Sequence, residues 1–193
     1  MQTERQGIDM NFQNENHPII RHAVPDDLDA LMAIFDEARK TIAALGIDQW
    51  QDGYPNREVI LQDMDAGRSM LVESDGEITA TFALCPGEEP TYNVIEDGEW
   101  LTGNENRAYL AIHRVAIAVS NRGTGLSGRI IRYAEDCARQ AGFGSLRIDT
   151  HKGNAVMRRM LEKNGFTYCG VIHLANGDPR VAYEKIINRE ESL

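Results

Sequence analysis

The sequence predicts one domain of the α/β (α+β) class, on three observations. Segments of helical period and segments of β type interleave over residues 19–187. A chain of 193 residues suggests one domain, two at most. With 42% hydrophobic and 26% charged residues it can fill a core, which makes wholesale disorder a poor reading. No internal repeat or low-complexity tract interrupts the pattern.

Residues 1–17 are polar and lack the apolar centre of a secretory signal, so they read as a mobile tail before a domain at 18–193. Residues 19–24 form a first strand. Pro25, Asp26 and Asp27 open a helix, because proline suits a first turn and carboxylates suit its dipole. Leu28, Leu31, Met32, Phe35, Ala38 and Ile42 supply its apolar stripe. Residues 46–55 are a loop carrying Trp50 and Tyr54, which either line a pocket or fold onto the core. Asn56 caps a second helix. Asp75-Gly76 joins strands 69–73 and 77–84 as a hairpin. Residues 91–104 lack clean periodicity and read as a short helix or an inserted flap. Residues 107–119 make the longest β-like run. A helix from Leu126 to about Gly142, a strand at 146–150, a helix at 154–164 and a strand pair at 166–174 and 180–187 complete the chain.

The junction from Val115 to Gly128 is the most informative. An apolar β-type run feeds Asn121-Arg122-Gly123-Thr124-Gly125, and a helix opens behind it. First-turn N–H groups of a helix have no internal partner, and the dipole favours negative charge there. Glycines keep Cβ atoms out of a phosphate's way, and Arg122 adds a forked cation. The junction reads as a site for a phosphate-bearing cofactor, against the plainer reading of an ordinary strand-to-helix turn.

Bulk properties exclude several classes. Twenty Lys and Arg against 30 Asp and Glu leave a net charge of -10, which argues against a nucleic-acid surface. It suits a cationic substrate, although acidity often serves solubility alone. Three scattered cysteines and no CxxC suggest neither disulfides nor zinc, and the scattered histidines give no metal-ligand spacing. No run of about 18 apolar residues marks a membrane span, so a cytoplasmic location is the default expectation. A homodimer is possible for so small a domain.

Arg122-Gly123-Thr124-Gly125-Leu126-Ser127 resembles the Arg/Gln-x-x-Gly-x-Gly/Ala run of the GNAT superfamily of N-acetyltransferases, with Ser127 in place of the final Gly or Ala. Asn154 followed by Glu162-Lys163-Asn164-Gly165-Phe166 resembles the family's Asn…Tyr-Glu-Lys-x-Gly-Phe run. The resemblance covers roughly 19–187. It implies a mixed, mostly antiparallel central sheet with helices on both faces and a splay between strands 4 and 5. It implies an acetyl-CoA-dependent N-acetyltransferase acting on a primary amine, a small molecule or a peptide, by direct attack in a ternary complex. Backbone groups of Val115 and Ile117 would pair with pantetheine. The N–H groups of Arg122, Gly123, Thr124, Gly125, Leu126 and Ser127 would hold the pyrophosphate, and Asn154 would contact the cofactor.

The chemistry needs a deprotonated amine, a donor for the developing oxyanion and release of the thiolate. The Val115 N–H suits the second need. His113, two residues earlier, is the candidate base, since imidazole works near neutral pH; a structural imidazole is the competing reading. Arg114 is expected to point to the opposite face by strand alternation, where it would meet a carboxylate or an anionic part of the substrate. Arg147, Asp149 and His151 share one face of the next strand, either orienting an imidazole or forming a solvated or salt-bridged face. Leu161 stands where the family often has a proton-donating Tyr. That substitution keeps open a non-catalytic acyl-CoA-binding or regulatory module on the same fold. Trp50, Tyr54 and the 91–104 segment are the expected substrate-shaping features.

Overall fold

A computed structural model describes residues 18–87 and 89–187; the expected tail at 1–17 lies outside them. Seven strands form one open sheet: β1 (Ile19–His22), β2 (Ser69–Ser74), β3 (Glu77–Pro86), β4 (Tyr109–Ile117), β5 (Ser145–Thr150), β6 (Thr167–His173) and β7 (Pro179–Ile186). Their order is β1-β2-β3-β4-β5-β7-β6. Every neighbouring pair is antiparallel except β4 with β5. The longest strand is β3, not the predicted β4, because the Asp75-Gly76 turn continues straight into ten extended residues.

Four helices cover the sheet: α1 (Leu28–Ala44), α2 (Arg57–Asp65), α3 (Leu126–Ala141) and α4 (Ala155–Lys163). Ile130 and Ile131 of α3 and Leu161 of α4 pack against Phe82, Ile112 and Ile148 on one face. Leu31 and Phe35 of α1 and Ile60 of α2 pack against Leu71 and Ala116 on the other. Pro25–Asp27 forms a single 3-10 turn before α1, and the Asn56 side chain caps α2 by accepting from Val59 N.

No helix covers the β5–β7 end of the second face. The segment at 90–104 does so instead, as an inserted flap with one 3-10 turn at Pro90–Tyr92. Its Tyr92 and Trp100 are fully buried against Tyr109, Ala111, Ile172 and Ala182. Beneath it Arg147 is fully buried, its Nε donating to Glu184 Oε1 at 2.9 Å. The guanidinium lies 4.2 Å from the ring centres of both Trp100 and Tyr109, a placement that desolvation strengthens. Ser145 Oγ and Thr102 Oγ1 donate to the same carboxylate at 2.6 and 2.7 Å. Arg147 thus takes the salt-bridged form of the strand-face reading: the charge is buried, paired with Glu184 and stacked between two rings.

The flap comes so close to β6 that only glycine fits. A Cβ on Gly98 would stand 2.1 Å from the Cys169 carbonyl oxygen. Gly98→Ala is expected to destabilise the fold by about 1–3 kcal/mol, the usual cost of overpacking, measured as a lowered urea midpoint.

Candidate active site

The parallel pairing of β4 with β5 lasts only from Tyr109↔Ser145 to Ala111↔Arg147, after which the strands diverge. Within the widening gap β4 carries a bulge. Its register with β3 passes from Ala83↔His113 to Thr81↔Ala116, so Arg114 and Val115 together oppose Phe82. Arg114 takes φ 54°, a conformation uncommon outside glycine. The extra residue cancels the alternation expected for this strand. Arg114 lies on the same face as His113, and Val115 and Ile117 turn to the face of α3 and α4.

Arg114 consequently meets carboxylate and phenol rather than the opposite face. Its guanidinium lies 2.7 Å from Asp63 Oδ2 and donates to Tyr54 OH at 2.7 Å. Burial lifts the Asp63 carboxyl above its usual range while the Arg114 charge pulls it down. Burial likewise raises the Tyr54 phenol, with Arg114 opposing.

The flap delivers a carboxylate to His113. Glu89 Oε2 sits 3.4 Å from His113 Nε2, an ion-pair distance with room to tighten. His113 beside it is the chief influence holding the Glu89 carboxyl below its ordinary value, with burial opposing. Thr91 Oγ1 donates to Glu89 Oε1 at 3.1 Å, and Glu89 N donates to the Tyr109 hydroxyl at 2.9 Å. These bonds fix the approach. The Tyr92 ring, 5.9 Å from the imidazole, backs it.

Tyr54, Glu89, Thr91, His113 and Arg114 line one cavity of ≈ 750 Å³ that opens at the splay. His113, Arg114 and Val115 form its β4 wall, Trp50 and Tyr54 its loop wall, and Asp149 and Asn154 its far wall. Trp50 also packs edge-on against Phe35, so both sequence readings of the 46–55 loop hold at once. Asn154 caps α4, its Oδ1 accepting from Met157 N at 3.1 Å. Arg147, Asp149 and His151 do not act together. Arg147 is taken by Glu184, Asp149 accepts from Tyr92 OH at 2.8 Å, and His151 Nε2 lies 3.6 Å from Asp48.

Beyond the gap, β4 runs through a 3-10 turn at Val119–Asn121 into the glycine turn. Gly123 and Gly125 take φ 79° and 88°, and a Cβ on either would meet open space. The first helical bond of α3 runs from Arg129 N to Gly125 O, so the N–H groups of Leu126, Ser127 and Gly128 face outward from the helix start. This is a cradle of the right chemistry for a pyrophosphate. Arg122 behaves differently from expectation. Its Nε donates to Ile117 O at 3.3 Å and its Nη1 to Thr41 Oγ1 at 3.0 Å, turning the guanidinium toward α1. The Ile117 carbonyl thus already accepts one bond.

Tyr109 is fully buried in the sheet, and Leu161 is a core residue of α4, so neither faces the cavity. The residues that sequence reasoning missed here are Glu89, Tyr92 and Asp63. Glu89 stands in a loop without periodicity and gave no signal. Tyr92 was visible only as one aromatic of an unassigned segment. Asp63 looked like an ordinary polar position on α2. Among the described residues no group of His, Cys, Asp and Glu is arranged to hold a metal, and no helix is long and apolar enough to cross a membrane.

The comparisons with known proteins agree with this fold. An acetyltransferase (GNAT) family model matches residues 29–166. A GNAT-family acetyltransferase structure from Streptococcus agalactiae is 37% identical with a TM-score of 0.80, covering 89% of this chain and 96% of that one. Streptothricin acetyltransferase of Streptomyces lavendulae is 26% identical over 163 residues, 78% of this chain and 82% of that protein. PaiA N-acetyltransferase from Thermoplasma acidophilum, solved in complex with coenzyme A, shares the fold at 16% identity with a TM-score of 0.66, covering 88% of this chain and 99% of that one. The splayed sheet, the glycine turn and these relatives together establish that the chain belongs to the GNAT family and is an acetyltransferase of the acyl-CoA-dependent kind.

Proposed function

We propose that the protein transfers the acetyl group of acetyl-CoA to a primary amine in a ternary complex, with His113 as the base. One observation carries this reading: the imidazole of His113 and the backbone of Val115 share the cavity at the mouth of the splay, with Glu89 against the imidazole. Acetyl-CoA would lie along the gap, its pyrophosphate at 122–127, and would supply the activated acyl group. Every remaining role falls to the chain itself. An Nε2–H directed at Glu89 leaves the lone pair on Nδ1, ready to accept the proton of the attacking amine. The Val115 N–H would bind the carbonyl oxygen as charge develops on it. The strand edge beyond Ala111 offers backbone groups to the pantetheine amides. Asn154 borders the same space. Trp50 and Tyr54 form the acceptor's side of the cavity, and Arg114 sets the Tyr54 hydroxyl in place. Leu161 offers no proton, so the thiolate leaves without help from that position. The likeness to streptothricin acetyltransferase supports acetyl transfer to an acceptor molecule.

A panel of primary amines incubated with acetyl-CoA, read by release of free thiol, tests the reading. Thiol release should depend on the amine and yield its N-acetyl derivative. Release no faster than hydrolysis across small amines, lysine peptides and aminoglycosides would overturn it.

Glu89 has a definite expected effect. Glu89→Gln should lower kcat about tenfold or more while leaving KM for acetyl-CoA in place, because only the proton-handling pair loses its charge. The same change in a His113→Ala background should add little, as residues that act as a unit are not additive. Steady-state kinetics of the two single variants and the double variant check this.

A further inference from the structure

Asp149 has no role in the proton transfer proposed above, yet it lines the cavity from β5, one of several carboxylates there with Asp48, Asp52, Glu89 and Asp178. It sits at the open end of β5, half-buried, facing the same space as His113. One oxygen accepts from the hydroxyl of Tyr92 at 2.8 Å, and that phenol is fully buried beneath the flap. Burial, with Asp149 next, pushes the Tyr92 pKa well up, so it stays a donor across the working pH range.

Cations along β5 or lining the cavity have other partners; His151 Nε2, two residues on from Asp149, lies 3.6 Å from Asp48 Oδ1. Arg147 is paired with Glu184, Arg114 with Asp63, and Arg180 lies 3.6 Å from Asp178. Among the described residues, no Lys, Arg or His comes within ion-pair distance of Asp149. A half-buried carboxylate held rigid by one neutral donor and left without a cation calls for a positive partner.

The opposite wall matches that charge. Tyr54 is near enough for Asp149 to be among the charges that raise its phenol. Trp50, beside it in the loop, is held at φ 66°, a strained conformation for a bulky residue. Aromatic rings and a carboxylate around one cavity are the standard chemistry for recognising an organic ammonium.

Asp149 is poorly suited to hold the nitrogen that reacts. A carboxylate against an ammonium favours its charged form, and the charged form has no lone pair for attack. His113, its ring 5.9 Å from that of Tyr92, has its own carboxylate in Glu89 and serves that nitrogen.

We propose, building on the amine-acetylation reading above, that the acceptor carries a second positive charge, and that Asp149, set by Tyr92 and faced by Trp50 and Tyr54, is the anchor for that charge. The substrate class is then a diamine or a larger molecule bearing two amino groups, one acetylated and one kept protonated.

The test compares α,ω-diamines of two to six methylenes with the monoamines of equal length. In the wild-type protein the best diamine should exceed its monoamine at least tenfold in kcat/KM. Asp149→Asn should collapse that ratio about tenfold, chiefly through KM for the diamine. Tyr92→Phe, which keeps the ring and frees the carboxylate, should lower the ratio less, and it carries the test should D149N fail to fold. An equal preference for diamine and monoamine in the wild type, or an unchanged ratio in both variants, would overturn the anchor. If no amine is acetylated, the amine-acetylation reading fails separately, and calorimetry of the diamines on the CoA-loaded protein decides the anchor alone. Binding that Asp149→Asn weakens supports it, and absence of diamine binding rejects it.

Discussion

Gly125→Val is expected to abolish acetyl-CoA binding in a protein that still folds. Gly125 stands at φ 88°, ψ 3°, directly before the first residue of α3. Valine is strained in that region, at a cost of about 1–3 kcal/mol. The strain is relieved most easily by moving the turn, because the space around Gly125 is open and nothing else in the chain is displaced. The same motion misaims the outward N–H groups of Leu126 and Ser127. Bonds from N–H to a charged oxygen contribute about 1.5–3 kcal/mol each, so losing two weakens binding by about 10²–10⁴-fold. The new side chain would also occupy the space the phosphates need. Calorimetric titration with acetyl-CoA, beside a circular dichroism spectrum matching the wild type, measures this. An unchanged Kd would remove the glycine turn from the cofactor site.

His113→Ala is expected to cost about 10²–10⁴-fold in kcat, the usual contribution of a positioned base. KM for acetyl-CoA should hold, since His113 lines the cavity with Trp50 and Tyr54 and no residue of the 122–127 turn lines it. The acidic limb of the kcat/KM profile should disappear, and a high-pH medium that supplies free amine should recover part of the rate. Full turnover at neutral pH with the correct amine would exclude His113 as base and return it to the structural reading.

Much of the fold was legible in the residues. The Asp75-Gly76 hairpin, the Asn56 cap, the α3 stripe and the glycine turn each depend on local chemistry, and each formed where the chain predicted. The strand, turn and helix start proposed to hold the cofactor were legible as structure for the same reason, being contiguous in sequence. The acceptor half was not. His113 and Arg114 are neighbours whose shared face depends on a bulge, and no residue type in that run announces one. Glu89 reaches His113 only because the flap docks on β5–β7, and that docking rests on Trp100, Tyr92 and Gly98 meeting residues far along the chain. Arg122 was read as free to meet phosphate, but Thr41 and the Ile117 carbonyl, both outside the motif, take its guanidinium.

The bulge at Arg114 makes strand length itself a source of information. Flattening the bulge while keeping that residue would move more than a guanidinium. Strict alternation would resume from His113, so every side chain after Arg114 would exchange sides. Val115 and Ile117 would leave the layer under α3 and α4, and Ala116 would leave the α1 face. One added residue elsewhere in the strand, left in the alternation, would have the same effect. The count of residues between Ala111 and the glycine turn, one of them folded out of the alternation, therefore decides which side chains face the cavity as much as their identity does.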